Sequence, residues 1–157
     1  MTAALRKWRR LAWPDRALLC EAVLLLAIAR VAIAALPFRW LVRLLGRGDS
    51  AAAPLADMPE ALITRVRWAV VAGARRVPWR AVCFQQGVAA HWMLRRRGVP
   101  SVLYYGTAPT LTQAGAAKGL AAHVWVRAGA LDVIGGEVAG RFAVLARFPL
   151  SRPRAAP

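Results

Sequence analysis

Between Pro78 and Pro100 the chain has room for one helix, and the residues around it fix where that helix starts and stops. Residues 83–98 read CFQQGVAAHWMLRRRG. A thiol, Cys83, stands at the start. Arg95, Arg96 and Arg97 suit the negative pole of the helix dipole, Gly98 suits a left-handed cap, and Pro100 cannot continue the helix. Cys83, Gly87, Ala90 and Leu94 fall at i, i+4, i+7 and i+11, a narrow face of small residues. Gly87 costs a helix about 1 kcal/mol relative to alanine, so its expected use is to let a strand or another helix approach closely. The positive pole favours the thiolate form of a thiol placed there. A lone cysteine is otherwise a small buried hydrophobe, so catalysis needs a partner for Cys83.

That partner is expected further on. Residues 101–106, SVLYYG, read as a strand rich in aromatic and β-branched residues. Residues 107–121 are small, polar and glycine-bearing, and read as a long loop of the kind that carries function. His123 then opens HVWVR, where His123, Trp125 and Arg127 alternate with Val124 and Val126 as on a strand. Gly129 and Ala130 can turn the chain into LDVI (131–134), and residues 141–149 read as a final strand or strand–helix edge. The order is cysteine on a helix, histidine on a strand, then an acid or amide nearby. In such a set the histidine deprotonates the thiol and a third group fixes its tautomer. In a simple hairpin turning at Gly129 and Ala130, position 136 faces His123 and Asp132 lies ~13 Å away along its strand. Turning one step later brings Glu137 opposite His123, and a bulge would restore Asp132. A backbone carbonyl or a water is the remaining way to orient the ring. His91, eight residues along the Cys83 helix, is ~12 Å from the thiol by helical rise and reads as a core or surface histidine. Oxyanion donors are expected among backbone N–H groups at the helix start.

The N-terminal third is basic and apolar. Lys7, Arg9 and Arg10 accompany Trp8 and Trp13, and Pro14 with Asp15 marks a helix start. Residues 16–36 then form the most hydrophobic run, nearly the ~20 residues a spanning helix needs. Glu21 and Arg30 argue for a buried or membrane-surface helix instead, since a charge at membrane depth costs ~2.5–3.5 kcal/mol. They are expected to mark one polar edge. After Pro37, FRWLVRLLGRG reads as a short basic amphipathic helix, and residues 49–59 as a linker. Residues 60–77 resume helical periodicity, with Ile63, Val66, Val70 and Ala74 on one stripe. This predicts a helix packed on a core, not a nucleic-acid reading helix. The expected organisation is an α+β chain: N-terminal helices (1–59), a core (60–150) with the Cys83 helix on a small antiparallel sheet, and a disordered basic tail (151–157).

Twenty-three basic residues face seven acids, giving +16, and hydrophobic residues make up 59%. Such a chain favours anionic partners, among which nucleic acid lacks a supporting motif. Cys20 and Cys83 are the only cysteines, far apart and without metal-ligand spacing, so neither a disulfide scaffold nor a zinc site is expected, and free thiols fit a reducing compartment. No signal peptide is read at the N-terminus. The expected location is cytoplasmic with peripheral association at an anionic membrane. A non-catalytic basic adaptor for membrane or nucleic acid, and a small integral membrane protein, are the competing readings.

Cys83, Phe84, Gln86, Leu94, Arg95–Arg97, Gly98 and Pro100, followed by a strand ending in glycine and then AHVWV, resemble the transglutaminase-like leader peptidase of lasso-peptide biosynthesis, the peptidase half of a split maturation protein. The resemblance covers residues 78–149, and the helical third is also similar. It implies a papain-like fold, Cys83 as nucleophile, His123 as general base, and removal of the leader from a ribosomally made precursor without a cofactor. It also implies a separate small leader-binding protein and an ATP-dependent macrolactam-forming enzyme as partners. The family carries an aspartate about a dozen residues after the histidine, where this chain has Gly135. Among the neighbouring acids, residue type favours Asp132 as third member, with Glu137 the alternative.

Overall fold

A computed structural model describes residues 8, 11–45, 59–111 and 117–148. The basic residues Lys7, Arg9 and Arg10, most of the expected linker and the C-terminal tail lie outside the described residues. Among the described residues four helices precede a sheet: α1 (Trp13–Ala35), α2 (Phe38–Leu45), α3 (Glu60–Ala74) and α4 (Cys83–Arg95). The strands are β1 (Val102–Leu111), β2 (Ala117–Ala128), β3 (Leu131–Ile134) and β4 (Ala143–Phe148), with a 3₁₀ turn over Gly136–Arg141 between the last two. All pairings are antiparallel, in the order β3-β2-β1-β4. The α+β class and the small antiparallel sheet are as expected.

Three layers follow from the packing. The sheet is covered by α4, with α3 against β3, and α1 lies outside α3 and α4. One apolar core joins Leu18, Leu26, Val66, Val88 and Met93 to Leu103, Val124 and Val126 of the sheet, so α1 shares its core with the elements after residue 60. Each fully buried Leu or Val in it contributes ~1.5–3 kcal/mol. Gly87 does what its position on the small face predicts. A Cβ there would lie 2.7 Å from Val124 Cγ1, so α4 sits nearly backbone-deep on β2. The helix closes as read: Gly98 is left-handed (φ 69°) and the Val99 N–H donates to the Leu94 carbonyl at 3.0 Å.

Two expectations change. Nine residues are two and a half turns, so Glu21 and Arg30 stand on opposite flanks of α1 rather than on one polar edge. Glu21 accepts hydrogen bonds from Arg97 at the end of α4 (Nη2 to Oε2, 2.5 Å), and Arg30 lies 5.5 Å above the Trp79 ring near its start. The two charges therefore fix α1 antiparallel to α4. Residues 107–121 are not one long loop either: β1 continues to Leu111 and β2 begins at Ala117. Small residues, Thr107, Ala108, Ala121 and Ala122, pair there without needing an apolar stripe. Pro109 is tolerated because β4 pairs with β1 only as far as Thr107, leaving that side of the ribbon an edge.

His91 is a core residue that ties three elements together. Its Nε2–H donates to the Leu45 carbonyl (3.1 Å) and its Nδ1 accepts from the Ser101 hydroxyl (2.9 Å). With Trp92 and Arg95 it satisfies the last carbonyls of α2. Burial pushes the His91 ring below its ordinary value of 6.5, opposed by the Leu45 bond and aided by Arg95. The unfolded chain therefore takes up a proton that the folded one refuses, and stability falls as pH drops below 6.5. Unfolding free energies from urea titrations at pH 7.5 and 5.5 should differ by up to ~1.4 kcal/mol for this group, the lower value at pH 5.5. That part of the pH dependence should vanish in His91→Gln.

Candidate active site

Val82 is extended (φ −75°, ψ 164°) and Cys83 is the first helical residue of α4. No side chain caps this end, so the first-turn N–H groups remain available beside the thiol. The approach to the helix is held by its own glutamines. Gln86 Nε2 donates to the Ala81 carbonyl at 2.8 Å, and the buried Gln85 accepts from Trp79 Nε1 at 3.2 Å. Cys83 is half-buried.

His123 pairs across the ladder with Gly106. β3 pairs with β2 only from Val126 onward, so His123 stands past the end of β3, where the 3₁₀ turn and not a strand lies against β2. Its ring is flanked by Trp125 (centroids 6.0 Å apart) and Phe142 (5.0 Å), and Trp125 stacks in turn on Tyr104 (5.4 Å). Gly106 makes room for this column, because a Cβ there would lie 2.9 Å from the Trp125 ring. Cys83 and His123 line one cleft of about 260 Å³, together with Gln86, Gly135, Arg67 and Glu137.

Neither candidate acid orients the histidine. Asp132 faces Arg127 across the ladder and its carboxylate pairs with Arg127 Nε at 3.0 Å. Glu137 pairs with Arg67 Nη2 at 2.6 Å. The contact to the ring comes from the Gly135 carbonyl, which accepts from His123 Nε2–H at 2.8 Å. A register shift between Val126 and Arg127 does occur, but it brings the turn after β3, not Asp132, to the histidine. Gly135 is left-handed (φ 72°), and a Cβ there would stand 2.7 Å from the Val124 carbonyl and 3.0 Å from His123 Nε2. Only glycine fits. Arg67, which also donates to the Asp132 carbonyl at 3.3 Å, carried no motif signal. Its place on α3 beside the cleft depends on tertiary packing.

A model of the transglutaminase-like superfamily matches residues 22–147, from within α1 to within β4. The chain belongs to the transglutaminase-like superfamily. No curated protein and no solved structure matches it. As a superfamily member it has a cysteine-peptidase-like fold, and the match takes in most of α1 together with the Cys83 helix and the His123 strand. Among the described residues no group of three or more His, Cys, Asp or Glu side chains could hold a metal ion.

Proposed function

We propose that this transglutaminase-like protein is a cysteine peptidase that removes the leader from a ribosomally made lasso-peptide precursor. The observation that carries the reading is the shared cleft of Cys83, at an uncapped helix start, and His123. The Nε2–H of His123 donates to Gly135, so Nδ1 carries the lone pair and is the basic nitrogen. Nδ1 takes the Cys83 Sγ proton, and the thiolate attacks the carbonyl carbon of the scissile amide. First-turn N–H groups of α4 receive the oxyanion. The imidazolium protonates the departing amine, leaving a thioester, and water activated by the neutral ring then releases the acid and restores the thiol. The substrate's leader would be delivered by a small leader-binding protein, and an ATP-dependent enzyme would close the ring on the core peptide. The test is incubation with the precursor peptide encoded beside it, with and without the leader-binding protein, read by mass spectrometry. A single cut at the leader–core junction supports the reading; an intact precursor under both conditions removes it.

The Gly135 contact makes a separate prediction. Gly135→Ala strains a left-handed backbone and displaces the acceptor, so kcat should fall roughly 10–100-fold through loss of ring orientation. Asp132→Asn, isosteric against Gly136 and losing only the charge of an exposed pair with Arg127, should stay within about threefold of the parent. Cleavage kinetics of the two variants side by side decide between the carbonyl and the carboxylate. Loss of activity in Asp132→Asn with retention in Gly135→Ala would return the role to the acid.

A further inference from the structure

α1 is apolar on both sides. Its inner face packs on α3 and α4, while Leu24, Ile28 and Val31 on the opposite face are 60%, 43% and 64% exposed. A helix that is apolar all round is ordinarily covered all round, yet among the described residues α1 is the outermost layer. The charges that adjoin that face are cationic. Arg39 and Arg43 are exposed on α2, which follows α1 directly, whereas Arg30 turns toward Trp79. The Arg43 guanidinium lies 4.5 Å over the ring of Trp40, itself 46% exposed. The acids of α1 do not offset these charges, because Asp15 pairs with Arg65 and Glu21 with Arg97.

We propose that the outer face of α1, with α2, docks on an anionic bilayer surface and lies in its headgroup layer. Apolar side chains bordered by arginine and tryptophan suit that layer, where the chains enter the acyl boundary and the cations meet lipid phosphates. Charge selects this occupant over a second copy, since two chains of +16 would bring like-charged rims together. α1 has the length and hydropathy to cross a bilayer. Crossing would strip Glu21 from Arg97 and the inner face from α3 and α4, so the helix lies on the membrane with its core packing intact.

The full-length protein is sedimented with vesicles of phosphatidylcholine alone or mixed with phosphatidylglycerol. Binding is expected on the mixed vesicles and should weaken as salt rises. Leu24→Ser/Ile28→Ser/Val31→Ser keeps the charge and should bind about 10–100-fold more weakly, with an unchanged circular dichroism spectrum. Val144→Ser/Leu145→Ser removes exposed apolar groups from edge strand β4, remote from α1, and should bind like the parent. Parent protein that fails to bind mixed vesicles, or a triple variant that binds as well as the parent, overturns the proposal. So does self-association without vesicles that the triple variant abolishes, which would give the face to a second copy. Resistance of the bound protein to alkaline carbonate would give α1 to a span and overturn it as well.

Discussion

Replacing Cys83 with alanine is expected to lower the rate of precursor cleavage by at least ~10⁴-fold, to the level of the uncatalysed background. The fold should survive. Cys83 is half-buried at a helix start, and its removal leaves the bonds from Gln86 to Ala81 and from Trp79 to Gln85 in place. Thermal unfolding of the variant should therefore move by no more than a few degrees. Cys20→Ser is the matching control: that thiol is exposed on α1, and cleavage should stay at the parent rate. Equal cleavage by Cys83→Ala and the parent would remove the nucleophile from the proposed mechanism.

The second large effect is on stability. Gly87→Leu should destabilise the protein at or beyond the upper end of the ~1–3 kcal/mol typical of overpacking. Even the first added carbon lies 2.7 Å from Val124 Cγ1, and the next nearest atoms belong to Leu103 and Val126. These residues line the sheet's helix-facing side and are fully buried, so none can move aside into solvent. Gly87→Ala sets a gain of about 1 kcal/mol in helix propensity against the same collision, and its loss should be much smaller. Urea midpoints of the two variants, with cleavage measured on whatever folds, separate packing from chemistry. Equal midpoints for Gly87→Leu and the parent would mean that α4 does not sit on β2 at this depth.

Much of this fold was legible because local chemistry and global packing agree. Pro78, the three arginines and Gly98 bound α4 without reference to anything distant. The small face through Gly87 announced a close neighbour, and the alternation of HVWVR announced a strand. What was not legible depended on tertiary position. Residues 107–121 carry no apolar alternation, so nothing local signals that β1 and β2 run on as a two-stranded ribbon. The one-sided reading of Glu21 and Arg30 fails on helical arithmetic, and their true partners, Arg97 and Trp79, lie more than forty positions away. The orienting group was legible only as one of three options: an acid, a backbone carbonyl or a water. Side-chain chemistry directs attention to Asp132 and Glu137, whereas the bond comes from a main-chain carbonyl, which every residue has. The available hint was a glycine at the spacing where the resemblance leads one to expect an acid.

The proposed pairing of Cys83 with His123 can be measured without knowing the substrate. In a Cys20→Ser background, the rate at which iodoacetamide alkylates Cys83 is measured at neutral pH. Rapid modification of Cys83 is expected, with a rate at least ~10-fold slower when His123 is replaced by alanine. Equal rates with and without the His123 imidazole would contradict the pairing.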